Sequence, residues 1–247
     1  MALATTKSPF LNKDLLKAID HTNLNPDATT EQIQQLCDEA IQYGFGAVCV
    51  APSRTKIAAD KVSVSRKSKI HVASVVGFPH GNSLTEVKAL ETKEVMSLGA
   101  SEIDMVMAIG HFLDGDYETV YDDINRVVRV AERGRSIVKV ILETYLLREE
   151  SKIRKACDLA VKAGAKFVKT STGFLVAEKN DQGAQGLKLE AVKIMRKQVV
   201  HTIGVKAAGG ISDLDAALRF LDAGASRLGC SSSVNIAREL VAKLEEH

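Results

Sequence analysis

The amino-acid sequence predicts an α/β protein, a (β/α)8 TIM barrel that forms one domain over residues 1–247, with a polar segment at about residues 1–9. The chain has 247 residues, of which 45% are hydrophobic, and barrels of about this length commonly form one domain. Eight short apolar segments typical of strands alternate with segments of helical periodicity. The first predicted strand is not followed by a GxGxxG motif, which would favour an open doubly wound sheet.

The first four strands are predicted at residues 19–22, 47–50, 70–76 and 103–106. Thr29-Thr30-Glu31-Gln32 and Ser83-x-x-Glu86 fit the capping-box pattern, so we expect helices to begin there. The first of these helices should end at Gly44, and the second at Gly99, because glycine is favoured just beyond a helix. The second helix is expected to bury Val87, Leu90, Val95 and Leu98.

The last four strands are predicted at residues 137–142, 167–169, 204–206 and 227–229. A long helix that ends near Gly134 carries the apolar stripe Val120, Ile124, Val127, Val128 and Ala131. Shorter stripes predict helices at residues 153–161 and 192–199. Ser212 is expected to cap a helix that runs to Gly224. The final helix is marked by Leu240, Val241 and Leu244.

Four of the predicted helices end in a glycine that leads directly into a strand. The glycines are Gly44, Gly99, Gly164 and Gly224, and the fifth residue after each is, in turn, Cys49, Asp104, Lys169 and Gly229. These residues fall on strands two, four, six and eight, and alternate strands of a barrel contribute one layer of inward side chains. We therefore expect Asp104 and Lys169 to face each other inside the barrel, with Asp104 the only carboxylate at that level.

Lys169 lies at the end of the sixth predicted strand, where burial disfavours a charged amine. A lysine pKa is ordinarily about 10.4, so it must be lowered to give a nucleophilic amine near pH 7. Lys206, on the adjacent seventh strand, should repel Lys169 and lower the pKa of at least one of the two. Lys139 on strand five is a candidate third interior lysine. In the alternative interpretation, each lysine reaches an end of the barrel or pairs with a carboxylate.

The other inward residues have two interpretations each. Asp104 could relay protons through water beside Lys206, or it could form a structural ion pair. Asp20 and Thr22 on strand one could hydrogen-bond a substrate hydroxyl or serve as buried caps. Cys49 fits a small core residue better than a reactive group.

Glycine- and serine-rich loops follow the last two predicted strands. Gly209 and Gly210 come after strand seven, and Gly229 leads into Ser231-Ser232 after strand eight. In many barrels these two loops bind phosphate through backbone N–H groups and a helix N-terminus. Thr172-Gly173, after strand six, is expected to lie close by. Either loop alone is weak evidence, and the pair is moderately specific for a phosphate site.

The composition disfavours several other classes of protein. A net charge of +2 gives no support for nucleic-acid binding, and a solvated face is expected for the basic cluster Lys61, Arg66, Lys67 and Lys69. No apolar run reaches the about 18 residues of a membrane helix. The histidines lack HxxH or HxxxH spacing, so we expect neither a metal nor another cofactor. Cysteines without a CxxC pair favour buried thiols in a cytoplasmic protein.

Six blocks of the sequence resemble the deoxyribose-phosphate aldolases, a family of class I aldolases. They are FVKTSTG (167–173), VKAAGGI (205–211), EIDMV (102–106), VKVILET (138–144), IDHT (19–22) and GFP (77–79). The resemblance runs from about residue 15 to 235, which is nearly the whole chain. FVKTSTG is its most specific block, and the order of all six makes a chance similarity implausible.

The resemblance implies a lyase that reversibly cleaves 2-deoxy-D-ribose 5-phosphate to acetaldehyde and D-glyceraldehyde 3-phosphate in deoxyribonucleotide catabolism. By its match, Lys169 would form the Schiff base with the C1 aldehyde, and Lys206 would lower the pKa of that amine. Asp104, through a water, would take the C3 hydroxyl proton, and Lys139 would belong to a supporting network. The residues that match the family's phosphate pocket are Gly173, Gly209, Gly210, Ser231 and Ser232.

Two features depart from the family pattern. Phe174 stands where some relatives carry a lysine near the phosphate, which implies weaker anion binding. The sequence ends at Glu245-Glu246-His247, without the tyrosine-ended tail that some relatives use to reprotonate the enamine. Our hypothesis assigns this proton to Asp104 through water.

Two other functions stay open on the sequence. One is an aldolase of a different sugar phosphate, and the other is a non-catalytic barrel that binds a phosphometabolite beside an inert Lys169. As partners we expect a small phosphosugar substrate, and neither nucleic acid nor membrane. The sequence leaves a homodimer or a homotetramer open.

Overall fold

The computed structural model describes residues 10, 12, 14–65, 70–175, 181 and 183–245. Its strands are β1 (Ile19–Asn23), β2 (Ala47–Val50), β3 (His71–Val76), β4 (Glu102–Val106), β5 (Ile137–Ile141), β6 (Phe167–Lys169), β7 (Gly204–Ala208) and β8 (Arg227–Cys230). All pair in parallel with their neighbours in chain order, and β1 pairs with β8 to close the barrel. The predicted (β/α)8 fold is confirmed. The predictions for residues 1–9, Arg66, Lys67, Lys69, Glu246 and His247 lie outside the described residues.

Helices alternate with the strands and pack against them. They are α1 (Asp14–Lys17), α2 (Thr30–Tyr43), α3 (Thr55–Ser63), α4 (Thr85–Ser97), α5 (Ile109–Leu113), α6 (Tyr117–Arg133), α7 (Thr144–Leu147), α8 (Glu150–Lys162), α9 (Ala184–Gln198), α10 (Leu214–Asp222) and α11 (Ser233–Glu245). The helices predicted from the sequence do not include α1, α3, α5 and α7. Three of them, α1, α5 and α7, have four or five residues, too few to show a helical period. Within the described residues, no helix is long and apolar enough to cross a membrane.

One of the two predicted capping boxes is present. Thr29 Oγ1 accepts a hydrogen bond from the Gln32 N–H, and the Thr29 N–H donates to Gln32 Oε1. The box predicted at Ser83 is wrong, because α4 begins after Leu84, which makes no side-chain cap. The cap predicted at Ser212 is also wrong by one position. Asp213 takes that role, because its carboxylate accepts from the Ala216 N–H at 2.8 Å.

The predicted buried face of α4 is wrong as well. Val87 and Leu90 are 51% and 57% exposed, whereas the buried face carries Lys88, Ala89, Thr92 and Val95. The cause is an ion pair at 2.6 Å between Lys88 and Asp123 on α6, which turns the lysine inward. A hydrophobic period cannot reveal a helix whose buried face contains a paired charge.

The interior of the barrel differs from the main core. The main core lies between helices and strands and is formed by branched aliphatic and alanine side chains. A second, small apolar cluster of Cys49, Ala73 and Val75 lies on the inward faces of β2 and β3. The inward faces of the other strands carry a group of charged side chains, which the salt bridges inside the barrel connect. The predicted buried thiols, Cys37, Cys49, Cys157 and Cys230, are confirmed.

Candidate active site

Lys169, Asp104 and Lys206 meet inside the barrel. Lys169 Nζ donates to Asp104 Oδ2 at 2.8 Å, and Lys206 Nζ donates to the same oxygen at 2.7 Å. Strand pairing explains the approach of the two lysines, because Lys169 and Lys206 are register partners on β6 and β7. The predicted opposition of Asp104 and Lys169 across the barrel is confirmed.

The expectation that Asp104 is the only carboxylate at this level is wrong, because Asp20 lies there too. Asp20 accepts hydrogen bonds from Lys206 and, at 3.0 Å, from Lys139. Gly229, the register partner of Asp20 on β8, leaves the space that this contact needs. A Cβ atom at Gly229 would lie 3.0 Å from Lys206 Cε, which is tighter than ordinary packing allows.

Lys139 extends the cluster toward the N-terminal ends of the strands. Its Nζ lies 3.0 Å from Asp104 Oδ1 and 2.5 Å from Glu102 Oε2. Arg227 in turn binds Glu102 and Asp20. Sequence reasoning missed Glu102 and Arg227, although each lies two residues before a predicted inward position. The period of two in a strand would have placed both on the inward face.

The pKa of Lys169 is lowered from its usual value. Burial is the main cause, Asp104 opposes the shift, and the positive charge of Lys206 adds to it. For Lys206, burial also favours the neutral amine, but Asp104 and Asp20 outweigh burial and raise its pKa. Lys139 has a raised pKa for the same reason. The predicted repulsion by Lys206 therefore does lower the pKa of Lys169, although burial lowers it more.

The two aspartates of the cluster stay ionised. Burial by itself would raise the pKa of Asp104, but Lys139, Lys169 and Lys206 hold it well below its usual range. Asp20 behaves in the same way, and its pKa is lowered by the surrounding cations against the effect of burial. Burial raises the pKa of the Cys49 thiol, which leaves it a neutral core group.

A cavity of about 770 Å³ lies at the C-terminal ends of the strands, directly above this cluster. Among the three lysines, Lys169 lines the cavity, and Lys139 and Lys206 are fully buried beneath it. Asp20 and Asp104 are fully buried as well. Asp20 therefore binds the cations of the cluster and does not line the cavity. The other predicted site residues that line the cavity are Thr22, Thr172, Gly173, Gly209, Gly210, Gly229, Ser231 and Ser232.

The loops after β6, β7 and β8 converge at one side of this cavity. Gly209 and Gly210 adopt positive φ angles of 86° and 74°, a conformation that glycine tolerates and other residues rarely adopt. A Cβ atom at Gly173 would lie 3.6 Å from Gly209 Cα, so the loops after β6 and β7 approach closely. This is the arrangement that the sequence predicts for a phosphate site.

Glu143, which sequence reasoning missed, holds the loop after β6. Its side chain accepts hydrogen bonds from the Thr172 hydroxyl at 2.6 Å and from the Thr172 N–H at 3.2 Å. Glu143 is buried and adopts a left-handed conformation with φ of 54°, which is uncommon for a residue other than glycine. Such strain is often found at functional sites. Its signals in the sequence are its place directly after the predicted strand 137–142 and its position in the block VKVILET.

Two side chains of α9 also reach the cavity and were missed. Lys188 Nζ donates to the Gly209 carbonyl at 2.8 Å, and Gln185 Nε2 donates to the Gly210 carbonyl at 3.1 Å. Phe174 lines the cavity nearby and packs edge-on against Phe78, with ring centroids 5.2 Å apart. The wall beside the three loops therefore combines a lysine from α9 with the aromatic ring of Phe174.

The chain is similar to known aldolases over most of its length. A model of the family described as "DeoC/LacD family aldolase" matches residues 15–237. The deoxyribose-phosphate aldolase of Thermococcus gammatolerans is 53% identical over 227 residues, which cover 92% of this chain and 96% of the relative. That of Thermococcus kodakarensis is 51% identical over 224 residues, covering 91% and 96%.

Solved structures show the same similarity. A protein described as "QR15, an Aldolase" superposes with a TM-score of 0.84 at 35% identity and covers 94% of this chain and 98% of its own. The tetrameric deoxyribose phosphate aldolase of Aeropyrum pernix superposes with a TM-score of 0.80 at 33% identity, covering 94% and 92%. The family model matches most of the sequence, and the relatives are similar in both sequence and structure, so the chain belongs to the DeoC/LacD aldolase family.

Proposed function

We propose that this chain reversibly cleaves 2-deoxy-D-ribose 5-phosphate to acetaldehyde and D-glyceraldehyde 3-phosphate. One observation carries the proposal: of the three clustered lysines, Lys169 lines the cavity and has the lowered pKa. A neutral amine on a cavity wall can attack an aldehyde, whereas the charged Lys206 and Lys139 cannot. The curated relatives named as deoxyribose-phosphate aldolases support the choice of substrate.

The first step is formation of an imine. The neutral Lys169 amine adds to the C1 aldehyde, and loss of water gives a Schiff base whose protonated form attracts electrons from the adjacent carbon. Lys206 stays protonated at the same Asp104 oxygen, 2.7 Å away, so it keeps a positive charge and a proton beside the forming imine. Because water is excluded from this buried layer, the positive charge and the proton of Lys206 both act more strongly on the imine.

Bond cleavage then needs a base for the C3 hydroxyl. As the C2–C3 bond breaks, its electron pair moves to the protonated imine and forms an enamine, while the C3 hydroxyl loses its proton and becomes the aldehyde of glyceraldehyde 3-phosphate. Asp104 is ionised and lies 2.8 Å from Lys169 Nζ, so it can take this proton through a water. The same carboxyl would return a proton to C2 before hydrolysis releases acetaldehyde.

The substrate phosphate is assigned to the loops that converge at the other end of the cavity. Consecutive glycines at positions 209 and 210 bring backbone N–H groups close to a ligand, and Ser231 and Ser232 add hydroxyl groups. Gly173 completes this end of the cavity from the loop after β6. In this assignment the five-carbon substrate spans the cavity from Lys169 to the glycine and serine loops.

Borohydride reduction in the presence of the phosphosugar or acetaldehyde, followed by peptide mass mapping, tests the proposal. We expect a reduced adduct on Lys169, and none in Lys169→Leu. That variant should stay folded, because Asp104 keeps Lys139 and Lys206 as partners. Asp104→Asn should still form the adduct but should slow the exchange of the C2 protons of acetaldehyde by at least about tenfold.

Other outcomes would lead to different conclusions. An adduct on Lys206 or Lys139 would keep the reaction class and overturn the assigned roles. Binding of the phosphosugar without any adduct would favour the non-catalytic barrel. Preferential cleavage of another sugar phosphate in a side-by-side assay would change the substrate. A cytoplasmic location and a homo-oligomer stay predictions, and light scattering would measure the latter.

A further inference from the structure

The Gly209–Gly210 turn is bound by two side chains on one face of α9. Lys188 and Gln185 are three residues apart and therefore lie on the same helix face. They bind the two consecutive carbonyl groups of the turn, at 2.8 Å and 3.1 Å. Two glycines in succession have little conformational preference of their own, so these bonds select the orientation of the turn.

This orientation determines where the N–H groups point. Peptide bonds are planar and trans, so each carbonyl points away from the N–H of the next residue. Among the described residues, the only cis bond is Phe78–Pro79. With both carbonyls directed at α9, the N–H groups of Gly210 and Ile211 point away from it. Both residues line the cavity assigned to the phosphosugar.

Lys188 also brings positive charge to this part of the cavity. Of the described residues that line it, Lys169 and Lys188 are the cations, and Lys169 is assigned to the carbonyl carbon at the other end of the substrate. Phe174 carries no charge, and Asp181 adds a carboxylate to the same wall. A phosphate bound at this end of the cavity would therefore lie near the positive charge of Lys188.

We propose that Lys188 is a positioning residue that sets the preference of this site for phosphorylated substrates. It holds the Gly209 carbonyl at α9, directs the next N–H toward the anion, and polarises that peptide with its positive charge. Gln185 does the same for the following peptide without adding charge. This inference rests on the proposed aldolase function and concerns substrate preference rather than the bond-breaking step.

Lys188→Met is the test, because methionine keeps an unbranched side chain and removes the charge and the donor. We expect KM for 2-deoxyribose 5-phosphate, and the inhibition constant of inorganic phosphate, to rise by about tenfold. The rate of C2 proton exchange in acetaldehyde, which needs Lys169 but no phosphate, should change by less than about twofold. Lys188→Arg retains charge and donors and should restore most of the affinity for phosphate.

Lys193→Met provides the matched control, because Lys193 is an exposed lysine on the same helix that pairs with Glu190 at 3.2 Å. It should leave both readouts unchanged. If Lys188→Met slowed acetaldehyde exchange as much as it weakened phosphosugar binding, Lys188 would be a general structural residue and the inference would be wrong. An unchanged KM for the phosphosugar would overturn it as well.

A second variant covers the case in which Lys188→Met does not fold. Gln185 is exposed, so Gln185→Ala should fold, and it should raise KM for the phosphosugar by about threefold without affecting acetaldehyde exchange. No change in that KM would contradict the inference. Failure to trap an imine on Lys169 in the unaltered protein would instead refute the aldolase function, so the two failures are distinguishable.

Discussion

Seven charged side chains meet inside the barrel, and their balance favours an uncharged Lys169. The three acids are Asp20, Glu102 and Asp104, and the four bases are Lys139, Lys169, Lys206 and Arg227. With Lys169 neutral, the three acids are matched by the three remaining bases. A charged Lys169 would leave one net positive charge in a site away from water, which burial disfavours. The amine at the cavity wall is therefore the one that the cluster leaves available for chemistry.

The residue-scale prediction concerns Lys206→Leu. Removal of this lysine takes away a like charge, and it leaves Asp104 with one cation fewer, so that Asp104 can stabilise a protonated Lys169 more strongly. The pKa of Lys169 should therefore rise, and the pH at which imine formation is half-maximal should move up by about one unit or more. The measurement is the rate of borohydride trapping with acetaldehyde as a function of pH.

This variant should remain folded well enough for the assay. Asp104 keeps Lys139 and Lys169, and Asp20 keeps Lys139 and Arg227, so neither carboxylate is left without a cation. Circular dichroism provides the control for folding. A pH profile that stays where it is in the unaltered protein would rule out the charge-balance explanation.

At the scale of a single element, α4 shows how a charged face can be buried. Lys88 Nζ donates to Asp123 on α6 at 2.6 Å and to the Val106 carbonyl at the end of β4 at 3.0 Å. Thr85 supplies a further hydrogen bond to Asp123. Burial lowers the pKa of Lys88 and raises that of Asp123, and the attraction between them opposes both shifts. The pair joins two helices to the strand that carries Asp104.

Lys88→Met should destabilise the protein strongly, because it leaves the buried Asp123 carboxylate without its cation. We expect a loss of about 3–5 kcal/mol in the free energy of unfolding, measured by urea denaturation. The double variant Lys88→Met/Asp123→Leu should recover much of this loss, because apolar side chains of similar size often replace a buried ion pair without penalty.

A second ion pair between the same two helices serves as the control. Arg126 on α6 binds Glu86 on α4 at 2.8 Å, but both side chains are exposed. Arg126→Met should therefore leave the urea midpoint almost unchanged. A small effect of Lys88→Met, equal to that of Arg126→Met, would show that water reaches Asp123 and that the pair is not a structural link.

At the scale of the whole molecule, the ionic cluster connects residues that are far apart in the sequence. Asp20 on β1 binds Lys206, 186 residues away, and Arg227, 207 residues away. Its pKa and that of Asp104 are lower in the folded protein than the ordinary value of about 3.9. The unfolded chain therefore takes up protons first as the pH falls. The contribution of these two carboxylates to the free energy of unfolding is present in full above about pH 4, and it is lost as the pH falls toward their lowered pKa values.

We expect the free energy of unfolding to fall steeply in acid. Each of the two carboxylates should contribute up to about 1.4 kcal/mol per pH unit below about pH 4, as measured by urea denaturation at a series of pH values. Asp213→Asn alters a half-buried helix cap outside the barrel cluster and should leave most of this slope in place. A flat profile between about pH 4 and 2 would mean that Asp20 and Asp104 are protonated in the folded protein.

The amino-acid sequence by itself determined the order of the eight strands, the place of seven of the helices described, and the opposition of Asp104 and Lys169. All three depend on local patterns, namely hydrophobic period and the distance from a helix-ending glycine to a strand position. The proximity of Lys206 and Lys169 also follows from the sequence, since consecutive strands of such a barrel are neighbours.

Only the tertiary structure decided which other residues join the site. The glycine register relates strands two, four, six and eight, so it says nothing about the level of Asp20 on β1. That level depends on strand tilt and on the closure of β1 against β8. The same is true of Lys188, whose hydrogen bond to the Gly209 carbonyl arises from the packing of α9 against that turn. Such contacts join distant segments, and no local pattern encodes them.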